Sequence, residues 1–115
     1  MIVKNIKNKG KPSYGRELEV YGIYWHEGVR LYLLVPDTSY AAFIVFNESE
    51  VEMVDPVIRD FFVLRKGSLG GDAFLHWAAD KDDLIYELME HNPDAMEEFL
   101  RRVNSNKGFS GMSNV

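Results

Sequence analysis

The sequence predicts an α+β domain, with a small antiparallel barrel or curved sheet of about five strands first and two C-terminal helices after it. Three observations carry that prediction. A chain of 115 residues with 46% apolar and 13% aromatic side chains has the size and composition of one globular domain with a buried core. From Glu17 onward, short runs of Val, Ile, Tyr, Phe and Leu are broken by turn residues every eight to twelve positions, the pattern of a compact antiparallel sheet. After residues 66–71 the apolar spacing changes to three and four, which is helical.

Residues 1–16 contain Lys4, Lys7, Lys9, Lys11 and Arg16 without an acid, together with Pro12 and Gly15, and read as a basic, flexible arm. The domain proper is expected over 17–104, mainly β over 17–66 and mainly α over 72–104, with a flexible tail at 105–115. The first strand, 17–25, sets Glu17 and Glu19 outward against Leu18 and Val20 inward, and Gly22 in its middle marks a bulge or bend. His26, Glu27 and Gly28 form the turn into a second strand at 29–35. A third strand over 40–46 has almost no polar residue. A fourth alternates through Glu50, Val51, Glu52, Met53 and Val54. Residues 58–64 read either as a strand or as a helical turn leading into one, and 73–79 is an apolar stretch without a readable period.

Asp80 is placed to cap a helix running to about His91, with Leu84, Ile85, Leu88 and Met89 as its buried stripe. Asn92 then caps a second helix that has Pro93 at its first position, where the missing donor costs nothing. Met96, Phe99, Leu100 and Val103 repeat at core spacing along it.

The absence of cysteine excludes disulfides, thiolate nucleophiles and Cys-ligated zinc. No apolar leader follows the N-terminal lysines and no apolar run is long enough to span a bilayer, so a cytosolic protein without a membrane partner is expected. Net charge is −5, but the 99 residues after the arm carry −10. A field of that sign repels phosphates and attracts cationic surfaces, which argues against nucleic acid and for a basic protein partner.

Chemistry-bearing motifs are sparse, and no cofactor is expected. His26, His76 and His91 have no metal-site spacing among them. His76 and Asp80, four apart, suit a proton-transfer pair if they share a helix face, although a histidine between Leu75 and Trp77 more often packs with a single hydrogen bond. The stretch 67–71 is glycine-rich like a phosphate loop, but it lacks the lysine and hydroxyl that such a loop requires, and Asp72 repels phosphate. Carboxylate pairs such as Glu50 with Glu52 or Asp37 with Asp55 fit a solvated face better than a glycosidase site.

Residues 72–98 hold nine acids and one lysine. Asp83, Glu87 and Glu90 follow at helical spacing, with Asp80 and Asp82 adding charge where the helix begins. Dipole complementarity explains acids in a first turn but not Glu87 and Glu90. Glu97 and Glu98, by contrast, stand four residues before Arg101 and Arg102 and pair along the surface. A small sheet cannot enclose Tyr21, Tyr24, Trp25, Tyr32 and Tyr40 together, so Trp25, Tyr32 and Tyr40 join Asp80, Asp82, Asp83, Glu87 and Glu90 as candidate partner-binding residues.

The runs 20–24, 31–35 and 51–55 look like the bent strands of SH3-like barrels, over about half the chain. In size, acidity and lack of cysteine the chain also resembles bacterial immunity proteins, which bind and neutralise a cognate basic toxin, often a nuclease. The residues lead to the expectation of a non-enzymatic protein-binding module that docks a basic partner on its acidic helix face, and the resemblance implies that such a module serves as an inhibitor. The alternatives are a small hydrolase or transferase using His76 with Asp80, and a structural subunit of a phage or cell assembly.

Overall fold

A computed structural model describes residues 1–11, 13–35, 43–67 and 71–113, with side chains described as far as residue 105. The described chain forms β1 (Ile2–Asn5), β2 (Glu17–His26), β3 (Val29–Leu34), β4 (Ile44–Asn47), β5 (Val51–Asp55), β6 (Phe62–Arg65) and β7 (Ala73–His76). The helices α1 (Trp77–Asp80), α2 (Leu84–Met89) and α3 (Pro93–Ser113) follow. All strand pairings are antiparallel.

The long strand β2 organises the sheet because different partners use its two halves. Glu17–Glu19 pair with β1, and β1 pairs in turn with β5. The second half pairs with β3 and with β7, which lead on to β4 and β6 respectively. The hairpin between β2 and β3 turns through Glu27 and Gly28, both at positive φ (51° and 79°), as a two-residue turn that matches strand twist requires.

Between Val20 and Gly22 the register against β3 shifts, leaving Tyr21 as the extra residue of a bulge. The bulge exchanges the faces of the strand. Leu18, Val20 and Ile23 enter one core with Val3, Tyr32, Leu34, Phe46 and Val51, while Tyr24 enters the other with Leu33, Ala73, Leu75 and the helical residues Leu84, Ile85, Leu88, Met96 and Phe99. A Cβ at Gly22 would lie 2.7 Å from Leu33 Cδ1 and 3.1 Å from Leu75 Cδ2, so glycine lets these two leucines of the helix-side core pack close against the strand.

The barrel expectation is overturned. The sheet has seven strands and is open: among the described residues β4, β5 and β6 each pair along one edge only, so no strand closes the ring. Forking at β2 produces branches, where a barrel needs each end strand to meet another. Both faces of the sheet are apolar, and they find cover in the helices on one side and in Val3 and Val51 of the β1–β5 branch on the other.

The basic arm is also corrected, because its start is a strand between β2 and β5 with Val3 and Asn5 fully buried. The Asn5 carboxamide accepts from the N–H groups of Lys7 (3.3 Å) and Asn8 (3.0 Å) and donates to Ser13 Oγ (3.2 Å), while Asn8 reaches Glu50 at 2.9 Å. At the other end, α3 extends beyond the expected tail boundary.

The helix expected from Asp80 to His91 is broken in two. Asp82 and Asp83 take left-handed φ of 60° and 55°, a conformation aspartate tolerates better than most residues, in a 3-10 turn, Lys81–Asp83, between α1 and α2. The second helix begins as expected, with Asn92 Oδ1 accepting from Asp94 N–H (2.9 Å) and Ala95 N–H (3.3 Å).

Candidate functional site: an acid-rimmed groove beside an open strand

The break at Lys81–Asp83 redistributes the acids predicted to share one face. Arg65, from β6, pairs with Asp80 at 3.2 Å and Asp83 at 2.8 Å and lies 5.5 Å from the centre of the Tyr86 ring. Arg102, from α3, meets Asp82 at 2.9 Å and Glu98 at 2.8 Å, and donates to the carbonyls of Ala78 (3.0 Å) and Lys81 (2.8 Å). Two arginines thus match three of the five acids and fasten the helical corner to the sheet and to α3. Glu98 is further gripped by Arg101, and the two guanidinium groups, Arg101 first, hold its carboxyl below the usual carboxylate range. Glu87 and Glu90 are exposed, and among the described residues neither has an ion pair.

The remaining candidates separate. Tyr32 is buried in the sheet core and offers no surface to a partner. Tyr40 lies outside the described residues. Trp25 is half-buried at the end of β2, where its ring borders a groove described below.

His76 does not pair with Asp80. The ring is buried, packed against Tyr21, Phe62, Trp77 and Phe99. Its Nδ1 accepts from Ala78 N–H at 3.1 Å, capping α1, which places the proton on Nε2 to donate to Asp60 at 3.0 Å. The pair stitches the β5–β6 connection to the helical start. Tyr21 beside it is pushed up to about 12, by burial first and then by the negative charges of Glu19 and Asp60. Among the described residues no group of three or more His, Asp or Glu side chains is placed to hold a metal ion, and no helix is long and apolar enough to cross a membrane.

A polar cleft of about 450 Å³ beside Trp77 contains Arg101, Arg102, Asp82 and Glu98, the groups already joined to one another. Side chains without such mutual pairing gather at the His26 end of β2. There a groove of about 560 Å³ is walled by Trp25, Leu64 and Phe74, with Gly71 at its base and Glu27 and Asp72 at its rim. The register places these rings together: Leu64 stands opposite Phe74 across β6 and β7, and Phe74 opposite Ile23, two residues before Trp25 on β2. A side chain at Gly71 would collide with the Trp25 carbonyl, so glycine lets the chain pass close while Trp25 N–H donates to the Asp72 carbonyl at 3.2 Å.

The connection from β5 to β6 adds further apolar surface. Val57, Ile58 and Phe61 are exposed, Phe61 at 72%. The segment is nevertheless fixed. Asp55 accepts from Val57 N–H at 3.0 Å and from Arg59 at 2.6 Å, which keeps its carboxyl below the usual range, the backbone bond contributing most. Asp60 is held by His76, and the Phe61 carbonyl accepts from Trp77 N–H at 2.9 Å. The sequence reading selected Trp25 but missed Leu64, Phe74, Asp72 and Glu27. Glu27 appeared only as a turn residue, and apolar strand residues read as core until the pairing reveals which of them lack cover.

No protein-family model, curated protein or solved structure matches this chain.

Proposed function

We propose that the protein is a non-enzymatic binding module whose partner is a basic protein, gripped through an apolar anchor in the Trp25–Leu64–Phe74 groove. The groove carries the proposal: an apolar and aromatic concavity rimmed by Glu27 and Asp72, in a chain whose net charge is −5. Buried aromatic and aliphatic anchors supply most of the energy at interfaces, and complementary charge at the rim sets orientation and encounter rate. An inhibitor of a basic enzyme, of the immunity-protein kind, is one use of such a surface. With Asp80, Asp82 and Asp83 engaged by arginines, the acids of the original face that remain available to a cationic partner are Glu87 and Glu90.

Selection from a random ten-residue peptide display library tests this directly. The expected consensus has lysine or arginine flanking a large apolar residue. Binding of the selected peptides should fall about tenfold or more on Glu27→Lys with Asp72→Lys, and should weaken as salt rises. An acidic or uncharged consensus, or affinity indifferent to the double charge reversal at low salt, overturns the reading.

A further inference from the structure

We infer that the partner enters as an extended segment that adds a strand to the open edge of β6, setting its apolar side chains beside Leu64 on the groove face and its basic side chains on the opposite, helix-side face toward Glu90. The inference rests on the basic-partner reading and specifies its geometry.

The phase of the β6–β7 ladder shows which backbone groups are free. The bond from Trp77 N–H to the Phe61 carbonyl marks Phe61 as facing β7, and antiparallel alternation then turns Val63 and Arg65 toward β7 as well. Phe62 and Leu64 therefore direct their N–H and C=O groups away from the sheet, and among the described residues no strand pairs on that side. An unpaired edge is usually guarded by charge, proline or a covering element. The outward-facing β6 positions are apolar, with exposed Leu64 forming a groove wall and Phe61 immediately preceding the strand.

Chemistry on both sides of this edge selects the occupant. On the groove face the residue beside the edge is the exposed, apolar Leu64, with the acids Glu27 and Asp72 farther across the groove, beyond β7. On the other, Arg65 brings Tyr86 of α2 against β6, and Glu90 follows Tyr86 by one helical turn without an ion pair among the described residues. Arg65, the cation at the end of β6, is already committed to Asp80 and Asp83, and Lys66, which follows it, is exposed with no ion pair among the described residues. A strand alternating basic and apolar residues satisfies the free amides through its main chain and both surroundings through its side chains, since successive residues of a strand project to opposite faces.

The test uses a synthetic ten-residue peptide alternating lysine with valine or leucine, and two analogues N-methylated on one or the other set of alternate amides. Methylation blocks one edge of a strand without altering its charge. The expected result is salt-sensitive binding of the parent peptide, slowed hydrogen exchange at the Phe62 and Leu64 amides, and at least a tenfold loss for one analogue only. Binding with no protection at those amides and equal affinity for all three peptides overturns strand addition while leaving the basic-partner reading intact. No binding of any peptide at low salt overturns both. Self-association in sedimentation that protects the same two amides assigns the edge to a second copy of the chain and overturns the inference.

Discussion

Replacing His76 by phenylalanine tests what the buried imidazole contributes to stability, because the substitute fills similar space and removes the contacts to Ala78 and Asp60. The Ala78 N–H loses its acceptor in a buried site, which costs about 2 kcal/mol on the scale of an unpaired buried donor. The bond to Asp60 is worth less, about 1 kcal/mol, since that carboxylate is 39% exposed and water replaces the donor. The sum, about 3 kcal/mol, lowers the melting temperature of a domain this size by about 12 °C. Asp60→Ala alone should lower it by about 8 °C, because it leaves the buried Nε2–H without its acceptor, and adding it to His76→Phe should change little, because that donor is then already gone. Calorimetry on the three variants with matching urea titrations measures each value. A His76→Phe protein melting within about 2 °C of wild type, or a double variant showing the full sum of the single losses, refutes the structural role assigned to this histidine.

Two further outcomes follow from the packing. Arg102→Leu strips the guanidinium from the carbonyls of Ala78 and Lys81 and from Asp82 and Glu98, and should destabilise the fold by about 3 kcal/mol in urea titrations; a loss below about 1 kcal/mol would show that solvent satisfies those groups. Tyr21 ionises near 10 when unfolded but only at about 12 when folded, so the unfolded chain releases its proton first, and this group lowers stability progressively as pH rises from about 10 to about 12. Tyr21→Phe lacks that contribution and should gain on wild type across the window, and a constant difference in urea midpoint from pH 9 to 12 would contradict the burial of the phenol.

The parts of the fold legible in the sequence are those specified by neighbouring residues. The Glu27–Gly28 turn, the Asn92–Pro93 start of α3 and the pairing of Glu98 with Arg102 all depend on residues within four positions of one another, although Arg101, expected to meet Glu97, meets Glu98 instead. Residues 73–79 defeated the reading because four residues of strand pass directly into a helical turn, leaving each period too short to see. The barrel expectation failed for a related reason: strands can be recognised one at a time, whereas closure depends on which of them meet. The acidic face was broken up by long-range matching, since Arg65 and Arg102 stand 15 to 20 positions from Asp80, Asp82 and Asp83. Trp25 was legible as an interface residue by type alone, while Leu64 and Phe74 acquire meaning only from the cross-strand register.

The ten residues of β2 are a shared wall between two hydrophobic interiors. Neither interior can admit water without disturbing that wall, so the seven strands and the helices are joined in one cooperative unit despite the branched layout. A segment tugging on β6 transmits its load through β7 into the middle of β2. Resistance there comes from both hydrophobic interiors at once, because β2 contributes side chains to each.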